Sequence, residues 1–242
     1  MKMRLLLVRE SSINIAITDY VMARHALPHS KVVYYGVEVP GPAAVRTESA
    51  TACPRKPAFA FVGRFVPEKG IPVLLRAASR IAAEGFDFEL RLIGDGPVRA
   101  DVEREIDRTG LRSRVRMLGF LGGTKQREAL EDVLAVVMPS VWEEAAGLAA
   151  IEQMVYGRLV IASAIGGLQE IVGDSGITFP AGDDGALADK MRSVLRNPAL
   201  AREYGTRARA RSLQLFTRQR MIEDHAKVYR RLAGHDLKGS RE

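Results

Sequence analysis

From Ala58 onward, short apolar runs alternate with stretches whose apolar residues recur at helical spacing. AFAFVGRF is a strand that ends at Gly63, and IPVLLRAASRI follows with Ile71, Leu74, Leu75, Ala78 and Ile81 on one helical face. FELRLIGDGP repeats the scheme: a strand runs into Gly94, and Pro97 sits at the first turn of a helix carrying Val98, Val102 and Ile106. VRMLGF predicts a third strand, KQREALEDVL a helix, AVVMPS a fourth strand and AAGLAAIEQMVYG another helix, and LVIASA, LQEIV and GITF continue the rhythm. After Pro180 the strands stop, and GALADKMRSVL, the segment from Pro198 to about Phe216, and RQRMIEDHAKVYRRL read as helices. Strands alternating with helices predict an α/β, doubly wound parallel sheet covered on both faces, with any ligand outside the carboxyl ends of the strands. The loops that leave those strands should therefore share one rim.

Before Ala58 the pattern changes. Two short strand candidates, Asn14 to Ile17 and Lys31 to Tyr35, surround a weak helix, and residues 40–57 read as a linker rich in Gly, Pro, Thr and Ser. So short a segment cannot build a doubly wound domain. Residues 1–39 are expected to be the remnant of an N-terminal Rossmann-like domain, residues 58–232 the main domain and residues 233–242 a tail. The apolar side chains Ile13, Ile15, Ile17, Val32, Val33 and Tyr35 are expected to face a missing sheet, which predicts a partner domain or self-association.

Composition narrows the function classes. With 242 residues, 47% of them apolar, the chain can bury a full core. Its apolar runs are far too short for a membrane span or a secretory signal, so the cytoplasm is the expected location. One cysteine, Cys53 beside Pro54, supports neither a disulfide framework nor a thiolate metal site, and the four histidines are scattered. No metal and no cofactor are expected. The net charge of +7 and the pI near 9.7 come largely from late residues, in GTRARARS (205–212) and in Arg218, Arg220, Lys227, Arg230 and Arg231. Without a basic stripe interleaved with aromatics, this is a solvated face and not a nucleic-acid surface, and it leaves peripheral contact with anionic lipid open.

Three rim loops carry charge or glycine that packing does not require. In GRFVPEKG, Arg64 and Lys69 flank a strand-to-helix turn between two glycines, placing two cations near the free amides of the next helix, as a phosphate site needs. In IGDGP, the third glycine of a dinucleotide fingerprint would fall at 99, which is Arg99, so a tight turn before a helix is the simpler reading. In PSVWEEAAGLAAIE, Glu144 falls on the loop and Glu152 in the first turns of the helix that begins near Gly147. Eight residues of helix would rise about 12 Å, and the loop entry shortens that somewhat. That exceeds the roughly 5 to 9.5 Å between the paired carboxylates of a glycosidase, so the two glutamates suit distant parts of one elongated ligand. The amides of Gly147, Leu148 and Ala149 are free for an anion or a sugar hydroxyl. Helix-start acids and an exposed helical glutamate account for the same residues equally well.

GRFVPEKG, LIGDGP, VRMLGF, PSVWEEAAGLAAIEQMVYG, LVIASAIGGLQEIV and FTRQRMIEDHAKVYRRL occur in the order and spacing of the donor-binding half of GT-B glycosyltransferases, and the chain resembles family 4 of that group over residues 30 to 232. The resemblance implies a retaining, metal-independent transfer from a nucleotide-diphospho-sugar donor to a saccharide or lipid-linked acceptor. It implies that Arg64 and Lys69 hold phosphate, Glu152 the ribose hydroxyls, Glu144 and the amides of Gly147, Leu148 and Ala149 the transferred sugar, and Gly119, Phe120 and Leu121 the base. Arg64, Lys69 and Glu144 would be the catalytic set. Three positions depart from the pattern: Ala146 replaces an aromatic, Gln153 an alanine and Leu159 a proline. A complete member also has a whole N-terminal acceptor domain. The alternative is a nucleotide-sugar-binding module, or an inactive fragment that needs a partner domain.

Overall fold

In the computed structural model, which describes residue 8, residues 10–41 and residues 56–239, with side chains only as far as Gly234, the apolar runs pair into one six-stranded parallel sheet. Its strands are β3 (Ala58–Val62), β4 (Glu89–Ile93), β5 (Val115–Gly119), β6 (Ala135–Met138), β7 (Leu159–Ser163) and β8 (Ile177–Phe179), in the order β5-β4-β3-β6-β7-β8. Cys53, most of the expected linker and the last residues of the tail lie outside the described residues.

The sheet is buried on both faces, so its central strands carry no polar alternation. Within β3 the side-chain period of two sorts residues by face. Phe59 and Phe61 join Leu90 and Leu92 under α2 (Ile71–Ala83), α3 (Arg99–Arg108) and α7 (Asp184–Arg196). Ala58 and Ala60 face the other way, with Val136 and Val160, toward α5 (Leu148–Val155), α6 (Gly166–Val172) and α8 (Ala199–Leu215). The short helix α4 (Gly123–Ala129) links β5 to β6 and ends earlier than KQREALEDVL predicts, with Leu130 already leaving it. The helix at Pro97 starts two residues later than expected, at Arg99.

Strand order runs outward from β3 to β5 on one side and from β6 to β8 on the other. The direction of winding thus reverses between β3 and β6, where doubly wound sheets open a crevice at the carboxyl ends of the strands. The GRFVPEKG loop leaves β3 and the PSVWEEAAG loop leaves β6, so they meet across that crevice.

The N-terminal segment forms a separate parallel pair, β1 (Asn14–Ala16) with β2 (Ser30–Val32), around α1 (Asp19–Arg24), and among the described residues these strands pair only with each other. Its apolar residues are less exposed than the sequence predicts. Val33 and Ala16 are buried and Ile13, Ile15, Ile17 and Val32 half-buried, while Tyr35 stays exposed. The segment is also docked on the rest of the chain. The segment packs on the start of the last helix, α9 (Arg218–Gly239), through a Val37 to Thr217 bridge, a Val37 N bond to the Phe216 carbonyl (2.8 Å) and an edge-on Tyr34–Phe216 contact.

Much of the late positive charge serves this architecture. Arg211 donates to the carbonyls of Glu170 and Ile171 at the end of α6, Arg209 to Val155 at the end of α5, and Arg220 to Tyr34, while Arg218 and Lys227 pair with Glu38 and Asp224. Arginine at helix C-termini satisfies carbonyls that the helix itself leaves open. No helix among the described residues is long and apolar enough to cross a membrane.

Candidate functional site

The rim is held together by backbone. Gly63 N bonds to the Ile93 carbonyl (3.0 Å), Phe65 N to Asp95 (2.8 Å) and Gly94 N to Gly119 (2.7 Å), so the loops after β3, β4 and β5 form one surface. This explains the glycines of IGDGP better than a fingerprint does: a Cβ at Gly94, where φ is +138°, would sit 1.8 Å from the Gly63 carbonyl oxygen. Asp95 completes the turn by accepting from the Gly96 amide at 2.7 Å and pairing with Arg99 at 3.2 Å.

These loops line a cavity of about 410 Å³ with Val62, Gly63, Arg64, Ile93, Gly94, Asp95, Phe120, Leu121, Gly122, Gln126, Ala149 and Glu152. Five sequence-predicted residues, Arg64, Phe120, Leu121, Ala149 and Glu152, thereby converge on one space. Arg64 is exposed and, among the described residues, has no ion-pair partner. Phe120 is 83% exposed on the tip of the β5 loop, an apolar ring open to solvent among the described residues. Gly119 does not line the cavity but turns that loop, with φ +66°. Glu152 projects from α5, and its desolvation by the surrounding walls raises the carboxyl above its ordinary value.

Lys69, Glu144 and Gly147 are not in this cavity wall but beside it, across the switch point. Lys69 ends a 3₁₀ turn (Pro67–Lys69), and its Nζ lies 2.9 Å from Glu144 Oε1. The same oxygen accepts a short bond from the hydroxyl of buried Ser140. The resemblance implies that Lys69 holds phosphate and Glu144 the sugar; in the structure the two hold each other. Gly147, in the left-handed region at φ +55°, is the N-cap of α5. The amides of Gly147, Leu148 and Ala149 have no acceptor among the described residues, as the first turn of a helix requires. Leu148 faces a second cavity, of about 520 Å³, which shares Glu152 and Gln126 with the first and is also lined by Tyr35, Arg127, Tyr156 and Arg218.

Several participants escape the sequence reading. Ser140 looks like a strand terminator, yet it fixes Glu144. Gln126 sits in a helix with no distinctive pattern, yet it borders both cavities. Glu170 lies in an ordinary amphipathic stretch, yet its carboxylate accepts the amides of Asp19 and Tyr20 at 2.9 and 2.8 Å. Of the three departures, Gln153 has a clear role: it is buried and accepts from Arg158 at 3.0 Å, closing the C-terminal end of α5.

The family described as glycosyl transferases group 1 matches residues 48–211. The chain is similar to the 2-deoxystreptamine glucosyltransferase of Streptomyces kanamyceticus, 36% identical over 145 residues that make up 59% of this chain and 37% of the relative. It is also similar to the D-rhamnosyltransferase WbpZ of Pseudomonas aeruginosa, 32% identical over 195 residues, 78% of this chain and 50% of the relative. The chain thus spans half or less of the length of these curated relatives. Among solved structures, the sucrose-phosphate synthase of Thermosynechococcus elongatus superposes with a TM-score of 0.80 at 27% identity, over 97% of this chain and 63% of that one. Anabaena HepE, solved in complex with UDP and glucose, shares the fold at a TM-score of 0.78 and 21% identity, over 95% of this chain and 65% of its own.

Proposed function

Since the chain belongs to the glycosyl transferases group 1, we propose that it is the donor-binding half of a retaining glycosyltransferase, holding a nucleotide-diphospho-sugar for transfer to a saccharide or lipid-linked acceptor. The observation that carries this reading is the convergence of Arg64, Phe120, Leu121, Ala149 and Glu152 on one cavity at the carboxyl ends of the parallel strands. The Lys69–Glu144 pair and the open amides of α5 lie beside it.

The roles follow from chemistry. A carboxylate accepts hydroxyl protons, so Glu152 holds the ribose, and Phe120 and Leu121 offer an apolar surface to the base. Arg64 and Lys69 meet the diphosphate, and Glu144 with the amides of Gly147 to Ala149 meets the sugar hydroxyls. In the reaction the bond between the anomeric carbon and the diphosphate oxygen breaks, and its electron pair leaves with the phosphate. The acceptor oxygen bonds to the same face of that carbon and its proton passes to the departing phosphate. Fixed cations facing that growing charge are the kind of preorganised group worth about 2.7 to 4 kcal/mol each. Two such cations are proposed to serve without a divalent metal.

Residues 58–232 are proposed as the donor domain and residues 1–39 as part of an acceptor-side domain. The names of the two curated relatives, a glucosyltransferase and a rhamnosyltransferase, support a hexose as the transferred group. A second reading is a nucleotide-sugar-binding module that transfers only with a partner domain or a second copy. It is favoured by the β1–β2 pair, which has no further strand among the described residues, since isolated two-stranded sheets are marginal.

Calorimetry with UDP, GDP and ADP tests the site: at least one should bind, with or without chelator, and Lys69→Ala or Glu152→Ala should weaken it more than about tenfold. Parent-like binding by both variants would remove the assignment. Following diphosphate release from the matching nucleotide sugar, with saccharide and lipid acceptors present, separates the transferase from the module. Turnover by this chain alone in the usual range of about 1 to 10³ per second would sink the module reading.

A further inference from the structure

The loop from Pro139 to Gly147 is gripped from three sides. On the domain side, Val141 N bonds to the Glu68 carbonyl (2.9 Å) and Gly167 N to the Glu144 carbonyl (2.7 Å). A Cβ on Gly167 would stand 2.1 Å from the Ala145 carbonyl oxygen, so the start of α6 lies directly against the loop. The third side belongs to the N-terminal segment, more than a hundred residues away in sequence. Thr18 is fully buried, and its hydroxyl has two partners: it accepts from Val21 N (3.2 Å), capping α1, and donates to the Ala145 carbonyl (2.8 Å). Next to it Glu170 accepts the first two amides of α1, those of Asp19 and Tyr20, and the exposed Arg24 pairs with Glu143 at 3.2 Å.

The nucleotide-side cavity is built differently. It is lined by the loops after β3, β4 and β5 and by α4 and α5, with no described residue of the N-terminal segment. The N-terminal segment thus grips the Glu144 loop directly, and approaches the nucleotide side only around Tyr35, which borders the neighbouring cavity that shares Glu152.

We propose that α1 is a clamp on the loop that carries Glu144, with Thr18 as the positioning residue and Glu170 as its anchor. Recognition of the sugar then depends on the docked N-terminal segment, while recognition of the nucleoside diphosphate is not weakened by its loss, because a displaced Glu144 releases Lys69. This rests on the reading that Glu144 and the α5 amides face the sugar. Its physical basis is that a buried hydroxyl shared between a helix cap and a loop carbonyl cannot be lost without leaving that carbonyl unsatisfied or moving the loop. Displacement of α1 by an acceptor-side domain would change the geometry of Glu144 and loosen its hold on Lys69, while the walls of the nucleotide-side cavity stay in place.

The test uses the full chain and three variants: Thr18→Val, which keeps the shape and removes the hydroxyl, Thr18→Ser, which restores it, and Glu170→Gln, which keeps one acceptor oxygen. Amide hydrogen exchange of the unliganded proteins needs no ligand to be known. Thr18→Val should accelerate exchange over residues 141–150 as well as 14–26, Thr18→Ser should match the parent, and Glu170→Gln should fall between. Should Thr18→Val fail to fold, Glu170→Gln carries the same comparison. Acceleration confined to residues 14–26 overturns the clamp. Calorimetry with UDP against UDP-glucose, GDP against GDP-mannose and ADP against ADP-glucose is the second arm. Thr18→Val should leave the diphosphate affinity equal to the parent's or raise it, by no more than the gain expected from freeing Lys69, and weaken the nucleotide sugar roughly fivefold to tenfold. Equal weakening of both, or of neither, overturns the selective role. Failure of the parent to bind any of the six would refute the donor-site reading, and with it the claim about sugar recognition, while the exchange arm still decides whether the clamp exists.

Discussion

Replacing Glu144 by glutamine should tighten the binding of a nucleoside diphosphate, the opposite of what loss of a site residue ordinarily does. The Glu144 carboxylate holds Lys69 at 2.9 Å, so a diphosphate must compete with it for the cation and also approach a negative charge. Both side chains are partly shielded, at 30% exposure for Lys69 and 19% for Glu144. The pair is therefore worth more than the 0.2 to 1 kcal/mol typical of exposed ion pairs and less than a fully desolvated charged bond of about 3 kcal/mol. Taking about 1 to 2 kcal/mol, Glu144→Gln should bind the best of UDP, GDP and ADP about fivefold to thirtyfold more tightly. The amide oxygen still accepts from Ser140, so the loop keeps its anchor. The gain acts through Lys69, which a double-mutant cycle exposes: in a Lys69→Ala background the same substitution should change affinity by less than about threefold. The matching nucleotide sugar should gain less than the diphosphate, because the carboxylate that meets its hydroxyls is gone. Titration calorimetry at low salt measures all four corners. Weaker diphosphate binding by Glu144→Gln, or an equal gain without Lys69, would refute the competition.

Three further outcomes are expected. The cavity walls desolvate the Glu152 carboxyl and raise it although the residue stays exposed at the rim, so a small stabilising contribution is complete below the unfolded value of about pH 4.3 and is lost as pH rises through the folded one. Glu152→Gln should thus be at least as stable as the parent at pH 7 by urea melts, with the difference gone near pH 4, while it binds nucleotide more weakly; a less stable variant at pH 7 contradicts this. Burial works against the Asp184 carboxylate, but bonds from Arg80 (2.6 Å) and Arg76 (3.2 Å) outweigh it and hold the carboxyl below its usual range. That stability is present above about pH 3.9 and is lost as pH falls through the folded value, so Asp184→Asn should cost about 0.5 to 1 kcal/mol at pH 7, both arginines being well exposed, and nothing at low pH. Gly94→Ala drives a Cβ against the Gly63 carbonyl and should destabilise by about 2 to 4 kcal/mol in thermal melts while abolishing nucleotide binding; a parent-like melting temperature would show that the rim loops are not rigidly joined.

How much of this was open to a reading of the residues depended on whether the cause was local. The strands from β3 to β8 and the helices between them were legible because burial on both faces of a parallel sheet leaves an unbroken apolar run, and a helix on that sheet leaves a 3.6-residue stripe. Arg64, Lys69, Glu144 and Glu152 stood out because their charges interrupt patterns that packing alone would have filled with apolar or neutral residues. Strand order could not be read, since every register of apolar strands looks alike along the chain; only pairing puts β3 beside β6 and brings the loops of Lys69 and Glu144 together. Ser140, Thr18 and Glu170 were invisible for the same reason, being ordinary residues whose roles consist of partners distant in sequence. Gly94 was legible as a turn but not as the point where two loop backbones touch. Local chemistry along the chain determined which elements form and which residues carry charge to the rim. The tertiary structure alone decided which of those residues meet, because hydrogen bonds and ion pairs act over about 3 Å and sequence separation says nothing about distance in space.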